Sequence, residues 1–333
     1  MASTFSLPPT YRAYVYEAFG DALDVIKLRS DVPFTPLAST QVRIKVHSAS
    51  VNPVDYKIIE FGGKYLPSSP SAENPFRVGF DAAGTVVEVG SDVTHVKAGD
   101  AVFAKTTFGL AGSFAEYFDL DAKYVALKPK NMSFLEAASV PGAGQTTYQS
   151  LVNYGKIKPG DRVLILGGSS GTGIFGIQIA RALGASFIAA TTSTRNVELV
   201  KSLGVDQVID YTREKWSEVL EPHSIDLLYD CGVEPLAWND AAQIVLKPDT
   251  GIFVTINPQV PLNKLDVKTE CHQVKVQSNT ADLETLSRFI EEGKMVTVID
   301  TVYTFDNLLE AIRHIKTGRA RGKIVIDIIP DKS

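Results

Sequence analysis

The feature that most constrains the fold is a glycine-rich segment between an apolar run and a helical pattern. Residues 162–166 (RVLIL) have the composition of a buried strand, residues 167–173 (GGSSGTG) follow directly, and 174–183 form an apolar helical pattern. Glycines at a strand–turn–helix junction allow backbone N–H groups to approach a pyrophosphate, and a helix N-terminus favours negative charge. A G-x-G-x-x-G also stands at Gly171, Gly173 and Gly176. In this context the segment predicts a dinucleotide-binding unit.

The same residues permit a second interpretation. Residues 167–171 also read G-x-S-x-G, the nucleophile elbow of α/β hydrolases, with Ser169 as nucleophile. Several aspartates precede His314, so the chain order Ser, Asp, His can be met. A hydrolase elbow, however, needs neither Gly173 nor Gly176. We therefore favour the dinucleotide site and keep a serine hydrolase as the lesser alternative. A P-loop is excluded because no Lys followed by Ser or Thr closes the glycine cluster.

The patterns on the two sides of residue 132 differ. Before it, segments such as 42–47, 85–90 and 99–104 read as short strands, some of them alternating apolar and polar residues, and Gly and Pro recur between them. This favours a compact barrel-like β domain. After it, apolar runs alternate with helical segments, which indicates a parallel sheet with helices on both faces. The strand candidates are 162–166, 186–191, 205–210, 225–230 and 252–256, and helices or strands are expected at 197–203, 282–292, 296–302, 305–317 and 322–326.

Composition excludes several classes. A length of 333 residues favours two domains. The 33 basic side chains against 38 acidic ones give a net charge of −5, which argues against nucleic acid as the main partner. No apolar run approaches the roughly 20 residues of a membrane span. Two cysteines, Cys231 and Cys271, are too few for a structural zinc site and suit a reducing compartment. With no signal peptide recognised, we expect a cytoplasmic protein.

The stretch after the second strand of the predicted parallel sheet decides the type of dinucleotide. NAD-preferring sites usually place an acid about 20 residues beyond the glycine fingerprint. Residues 191–196 (TTSTRN) contain no acid, whereas Ser193 and Arg195 can donate to a 2′-phosphate. The sequence therefore predicts NADPH, with a role of Arg195 in capping or solvating the next helix as the alternative.

Six motifs occur in a characteristic order. They are 50–57 (SVNPVDYK), 79–86 (GFDAAGTV), 112–117 (GSFAEY), 141–148 (PGAGQTTY), the glycine cluster, and 320–325 (ARGKIV). In these motifs the chain resembles the medium-chain dehydrogenase/reductase superfamily, in its zinc-independent quinone oxidoreductase (ζ-crystallin-like) branch. The resemblance implies an α/β protein with a GroES-like β-rich catalytic domain and a Rossmann domain with a doubly wound parallel sheet. We expect the first at 1–131, completed by 278–333, and the second at 132–277.

The resemblance also implies how the reaction proceeds. Zinc-dependent members carry Cys near position 52 and His near position 80, where this chain has Asn52 and Phe80. We therefore expect no zinc, and hydride transfer to an acceptor that is already electrophilic, a quinone or an α,β-unsaturated carbonyl. The family loop usually has Gly where Ser170 stands and Val where Thr172 stands, so this chain has a side chain at 170 where the family has only backbone. The family further implies a homodimer that pairs through an edge strand near 274–277.

Three residues are the catalytic candidates: Asn52, Tyr56 and Lys57, as donors to the acceptor oxygen, with Lys57 also able to supply a proton. Packing for Tyr56 and solvation for Lys57 are the simpler alternatives, and Asp55 is expected to organise the loop. Acceptor choice is expected to depend on cleft residues such as Phe61, Tyr65 and Phe80.

The cofactor candidates come from the glycine cluster and from positions that match family contacts. Thr146 is expected on the nicotinamide side, Tyr211 near the 2′-phosphate, and Cys231 and Gly232 along a ribose. The full set is Thr146, Gly168, Ser169, Ser170, Gly171, Thr172, Gly173, Ser193, Arg195, Tyr211, Cys231, Gly232, Arg321 and Lys323. For Arg321 and Lys323 a strand-edge charge pair is the alternative.

The resulting prediction is an NADPH-dependent quinone oxidoreductase that needs no metal. An enone or alkenal double-bond reductase would use the same site, and a non-catalytic NADPH-binding protein is the alternative from another class.

Overall fold

The computed structural model describes residues 7–64, 66–107, 112–239, 241–257 and 268–329. The chain divides into two compact units. The first unit comprises 1–142, 277–291 and 299–333, and the second comprises 143–276 and 292–298. Residues 132–142, which the sequence analysis assigns to the second domain, fall in the first unit because Phe134 stacks on His47, with ring centroids 4.1 Å apart. Residues 292–298 fall in the second because Gln178 hydrogen-bonds Val296 in both directions.

The described residues form these strands: β1 Thr10–Tyr16, β2 Ile26–Pro33, β3 Gln41–Val51, β4 Phe76–Arg77, β5 Asp81–Val89, β6 Ala101–Lys105, β7 Tyr117–Asp121, β8 Val125–Leu127, β9 Arg162–Leu166, β10 Phe187–Thr192, β11 Gln207–Asp210, β12 Leu227–Asp230, β13 Ile252–Thr255, β14 Glu270–Gln273, β15 Ile299–Thr304 and β16 Lys323–Asp327. They form these α-helices: α1 Ala22–Val25, α2 Pro53–Phe61, α3 Phe134–Ala138, α4 Pro141–Gln149, α5 Gly173–Ala182, α6 Val197–Ser202, α7 Trp216–Val219, α8 Ala242–Val245, α9 Thr280–Glu291 and α10 Leu308–Lys316. Among the described residues, no helix is long and apolar enough to span a bilayer.

The first unit is built on two sheets. A small sheet has the order β2-β1-β4, and a larger one has β15-β16-β3-β5-β6-β8 with β7 paired to β3. The apolar positions predicted for β3 are confirmed, since Val42, Ile44 and Val46 are buried in the core of this unit. Arg43 between them is also buried, at 3% exposure, because its guanidinium pairs with Asp119.

The register of the larger sheet brings distant residues to one of its ends. Ser50, near the end of β3, pairs with Asp81 at the start of β5, and Asp81 pairs with Lys105 at the end of β6. On the other side of β3, Val51 pairs with Ile324 of β16. Polar residues at these four strand ends therefore meet, although they lie far apart in sequence.

The second unit is a parallel sheet of order β11-β10-β9-β12-β13-β14. This is the 3-2-1-4-5-6 order of dinucleotide-binding domains, with β9 as the first strand. Ligands of such sheets bind at the carboxyl ends of the strands where the order reverses, which here is the end of β9. The edge strand is β14 at 270–273; the residues expected there, 274–277, follow it.

Candidate active site

The glycine turn after β9 is held by the end of the neighbouring strand β10. Gly167 has φ +91°, a left-handed conformation that favours glycine. Its N–H donates to Thr191 Oγ1 at 2.9 Å, and the N–H of Gly168 donates to the Thr191 carbonyl at 2.8 Å. A Cβ on Gly168 would lie 2.9 Å from Ala190 Cβ, so glycine permits the close packing of the turn on β10.

Helix α5 begins against this turn. A Cβ on Gly173 would lie 2.1 Å from the Gly167 carbonyl oxygen, so only glycine fits there. Ser170 Oγ accepts at 3.0 Å from the N–H of Gly173, the first residue of the helix. Within the described residues, the N–H groups of Ser169, Gly171 and Thr172 donate no backbone hydrogen bond. Unpaired donors at the start of a ten-residue helix fit the pyrophosphate of a dinucleotide.

A buried residue that was not among the sequence candidates hydrogen-bonds the end of the glycine turn. Thr147 Oγ1 donates to the Thr172 carbonyl at 3.0 Å and lies 3.5 Å from the Tyr229 hydroxyl. Burial raises the pKa of Tyr229, so this hydroxyl is neutral. Thr146, the predicted contact, is the half-buried neighbour of Thr147 in α4. The only sequence signal for Thr147 was its place in the motif 141–148.

The hydroxyl of Ser169 lies at the end of β10. Its Oγ accepts from Thr192 Oγ1 at 3.0 Å and from Asn196 Nδ2 at 3.1 Å. Asn196 Nδ2 also lies 3.4 Å from Ser193 Oγ, which brings the two predicted serines to one patch. No imidazole of the described residues hydrogen-bonds Ser169, so the base that a serine hydrolase requires is not beside it.

The predicted 2′-phosphate residues lie at the carboxyl ends of β10 and β11. Arg195 is exposed in a 3₁₀ turn over 194–196. The Tyr211 side chain is 56% exposed, and its backbone N–H donates to the Thr192 carbonyl at 3.1 Å. The structure therefore gathers Ser193 and Tyr211 at one edge of the sheet, with Arg195 on the adjoining turn.

An acid that was not singled out, Asp210, ends β11 beside these residues. Its carboxylate accepts from Thr194 Oγ1 at 2.5 Å and from the Thr212 N–H and hydroxyl. The hydrogen bond from Thr194 is the main reason that the pKa of Asp210 is lowered. Asp210 thus fastens the 194–196 turn that carries Arg195. Its position at a strand end was the available sequence signal.

The turn after β12 is fastened by Asp230. The Asp230 carboxylate accepts from the N–H groups of Val233 and Glu234 and from Thr255 Oγ1. Gly232 has φ +79°, which closes the turn. Cys231 is buried, and burial raises the pKa of its thiol to about 12. Cys231 is therefore a neutral wall residue and not a nucleophile.

The three predicted catalytic residues lie in or at the start of helix α2, in the first unit. Asn52 is its N-cap, Pro53 occupies its first position, and Asp55 Oδ2 accepts from the Asn52 N–H at 2.6 Å. This agrees with the organising role expected of Asp55. Lys57 is exposed, on the opposite side of the helix from the buried Asp55 and Ile59.

Tyr56 and the expected acceptor-side aromatics have different surroundings. Tyr56 is half-buried against the core of the first unit, and Lys316 Nζ lies 5.6 Å from its ring centroid. Burial raises the pKa of Tyr56. Phe61 is 44% exposed at the end of α2, whereas Phe80 is only 8% exposed. Tyr65 lies outside the described residues.

A buried polar cluster surrounds Asn52. Asn52 Nδ2 donates to Asp81 Oδ2 at 2.8 Å, and Lys323 Nζ donates to Asn52 Oδ1 at 2.5 Å. Burial raises the pKa of Asp81 and of Asp55, and lowers the pKa of Lys323. Lys105, whose pKa burial also lowers, lies near both carboxylates and donates to Ser278 Oγ at 2.9 Å. The amide of Asn52 is thus already engaged within the protein.

The two C-terminal cofactor candidates, Arg321 and Lys323, have different surroundings. Arg321 is exposed, but Lys323 is 3% exposed and its ammonium points to Asn52. Lys323, which was expected at the cofactor, is buried because β16 pairs with β3 and so places its first residue beside the end of β3.

Comparison with known proteins agrees with this architecture. Residues 38–130 match the alcohol dehydrogenase GroES-like domain, and 203–326 match the family described as zinc-binding dehydrogenase. The chain is 38% identical to the 2-methylene-furan-3-one reductase of Solanum lycopersicum, over 99% of this chain and 82% of that protein. It is 36% identical to the chloroplastic NADPH-dependent alkenal/one oxidoreductase of Arabidopsis thaliana, over 98% and 81%.

Two proteins described as quinone oxidoreductases are also similar. The chloroplastic quinone-oxidoreductase QR1 of Triphysaria versicolor is 32% identical, over 95% of this chain and 98% of that protein. The solved structure of the quinone oxidoreductase from Coxiella burnetii superposes with a TM-score of 0.80 at 29% identity, over 96% of this chain and all of that one.

Fold, glycine turn and relatives together define a nicotinamide-dependent oxidoreductase with a GroES-like and a Rossmann-type domain. The chain belongs to the medium-chain dehydrogenase/reductase superfamily, in its quinone oxidoreductase branch. The family and the fold class expected from the sequence motifs are both confirmed.

The residues around Asn52 do not fit the zinc that some members of this superfamily bind. Zinc takes thiolate, imidazole or carboxylate ligands. Here an amide stands at position 52, and the Lys323 ammonium already donates to it. Among the described residues, no group of three or more His, Cys, Asp or Glu could hold a metal.

Proposed function

We propose that the protein is an NADPH-dependent reductase that reduces the conjugated double bond of α,β-unsaturated carbonyl compounds without a metal. Quinones are the second candidate acceptor. The order reverses that of the sequence analysis, because the relatives at 38% and 36% identity are named for enone and alkenal substrates, and the quinone oxidoreductases are at 32% and 29%. Both acceptors are conjugated carbonyls, so one site can serve both.

The observation that carries the proposal is the set of unpaired N–H groups at Ser169, Gly171 and Thr172. These donors would hold the pyrophosphate, and Ser193, Arg195 and Tyr211 the 2′-phosphate. When bound, the reduced nicotinamide supplies a hydride to the β-carbon of the acceptor. The chain must then stabilise negative charge on the acceptor oxygen and provide a proton.

Lys57 is the residue we assign to that task. Its ammonium is exposed on α2, and no acidic side chain of the described residues pairs with it. An ammonium can donate a hydrogen bond to the acceptor oxygen and can release a proton from Nζ to complete the reduction. Asn52 and Tyr56 are less suited, since Asn52 is engaged with Asp81 and Lys323 and Tyr56 packs on the core.

The test compares NADPH oxidation with a panel of alkenals, cyclic enones and quinones. We expect kcat/KM to be higher for the enones and alkenals, and NADPH to be preferred over NADH. Lys57→Met should lower kcat about 100-fold and leave NADPH affinity unchanged. Lys64→Met, which removes another exposed lysine just beyond α2, is the control. A wild-type protein that oxidises NADPH with no member of the panel contradicts the proposal and supports a non-catalytic binding protein.

We also propose that two copies pair through the edge of the parallel sheet at β14. An exposed strand edge requires covering, and pairing across a two-fold axis supplies it. Gln273→Pro, at the last position of β14, removes an N–H that faces away from β13, because the N–H groups of Glu270 and Val274 donate toward β13. This variant should convert a dimer into a monomer in analytical ultracentrifugation. A cytoplasmic location remains a prediction from the sequence.

A further inference from the structure

The polar cluster around Asn52 contains more charge than the proposed chemistry uses. Two carboxylates, Asp55 and Asp81, and two ammonium groups, Lys105 and Lys323, lie at one end of the larger sheet. Both carboxylates are fully buried, and Lys323 is 3% exposed. Burying an ionic group costs several kcal/mol, and well-packed apolar residues are often as stable or more so. The cluster therefore calls for an explanation beyond stability.

Asn52 is the point at which these groups meet. Its Oδ1 accepts from Lys323, its Nδ2 donates to Asp81, and its backbone N–H donates to Asp55. Nδ2 also lies 3.4 Å from the Ser50 carbonyl. Both polar atoms of the Asn52 side chain are thus engaged, and these contacts tie the start of α2 to the end of the sheet.

The backbone at the start of α4 also contacts the cluster. A Cβ on Gly142 would lie 2.5 Å from Asp81 Oδ2, so glycine allows the Gly142 N–H to reach this carboxylate. Asp81 is therefore held between Asn52 and the start of α4. Its other oxygen, Oδ1, has no hydrogen-bond partner among the described residues, so the recorded contacts of the carboxylate are those to Asn52 and Gly142.

We propose that Lys323 and Asp81 are positioning residues, which clamp the amide of Asn52 and thereby hold α2 so that Lys57 reaches the acceptor. The assignment rests on the proposed function. This role differs from the cofactor contact expected of Lys323, because the Lys323 ammonium donates a hydrogen bond to Asn52. Lys105 belongs to the same charge cluster but donates to Ser278, not to Asn52.

That difference supplies a matched pair of variants. Lys323→Met and Lys105→Met each remove one buried ammonium, and both should lower the denaturation midpoint. Only Lys323→Met should also lower kcat, by about 10- to 100-fold, because a small misplacement of a reacting group has effects of that size. The Kd for NADPH, followed by fluorescence titration, should stay within about twofold of wild type in both variants.

A charge-balanced variant separates positioning from stability. Lys323→Met combined with Asp81→Asn removes one charge of each sign, and should regain much of the lost midpoint while kcat stays low. Recovery of kcat with the midpoint, or equal loss of kcat in both single variants, would show that the cluster is structural only. A raised Kd for NADPH with unchanged kcat in Lys323→Met would return Lys323 to the cofactor site.

Hydrogen exchange of α2 provides a readout that does not need turnover. In Lys323→Met, peptides covering 53–61 should exchange faster than in Lys105→Met. If the wild type reduces no acceptor, the proposed function fails while this measurement still judges the clamp. Equal exchange in the two variants overturns it.

Discussion

The glycine turn of the second unit and the cluster around Asn52 in the first unit differ in which groups make their contacts. In the turn, glycine avoids the clashes that side chains would cause, and the backbone N–H groups are the proposed ligand donors. Around Asn52, the contacts are made by buried charged side chains, since Asp81 and Lys323 both hydrogen-bond the Asn52 amide. The turn is therefore sensitive to added atoms, and the cluster to the loss of a charge.

The largest effect is expected when the charge balance is broken. Asp81→Asn leaves two buried ammonium groups with one carboxylate, and an uncompensated buried charge typically costs about 3–5 kcal/mol. The unfolding free energy from denaturant titration should fall by that amount. Asp92→Asn, at an exposed position, should change it little. Equal stability of the two variants would mean that the cluster is not charged in the native protein.

The next effect comes from adding a methyl group to the turn. Gly173→Ala places Cβ 2.1 Å from the Gly167 carbonyl oxygen, and overpacking of this kind costs about 1–3 kcal/mol. NADPH binding in fluorescence titration should weaken with the loss of the turn. Gly176→Ala is the control, because its Cβ would meet side-chain atoms no nearer than 3.3 Å and alanine favours a helix. Unchanged binding in Gly173→Ala would place the pyrophosphate elsewhere.

The third prediction concerns the positive charge of Arg195, where we propose that the 2′-phosphate of NADPH binds. Arg195→Ala should raise the KM for NADPH about tenfold to 100-fold and leave that for NADH nearly unchanged, since a hydrogen bond to a charged group contributes about 1.5–3 kcal/mol. Arg213→Ala, which removes a neighbouring exposed arginine paired with Asp210, should not alter the ratio. Equal effects of Arg195→Ala on both coenzymes refute the 2′-phosphate assignment.

The smallest effect is a dependence of stability on pH from Cys231. Its pKa is about 12 in the native protein against an ordinary value of 9.0, so above pH 9 the unfolded chain releases a proton that the native chain keeps. Stability then falls as pH rises, by about 1 kcal/mol from this group between pH 8 and pH 10. Urea titrations at both pH values should show a smaller decrease for Cys231→Ala. An identical decrease would mean that the native thiol ionises normally.

The sequence was informative wherever the relevant residues are neighbours. The glycine turn, the strand β9 before it and the helix α5 after it occupy 21 consecutive positions between 162 and 182, and each was recognisable from composition and periodicity. The role of Asp55 is also local, since it accepts from the N–H of Asn52 three residues before it, but the segment expected as a loop is the start of helix α2.

Elsewhere the contacts depend on strand register, which sequence patterns do not determine. Lys323 lies 271 residues from Asn52, and only the pairing of β16 with β3 brings the two together. For this reason Lys323 was expected at the cofactor, Asn52 as a free donor, and Thr147 not at all. The edge strand was placed at 274–277 from the family resemblance, directly beyond the observed β14, because a resemblance does not specify at which residue the pairing ends.

By itself, the sequence determined the family, the α/β architecture and the turn suited to a dinucleotide, because these depend on local geometry and on the spacing of glycine and apolar residues. Tertiary structure alone decided which charged side chains are buried together and which are left for chemistry. The physical reason is that burial and pairing of charges depend on distances across a sheet, and in this protein those distances are set by strands that come from opposite ends of the chain.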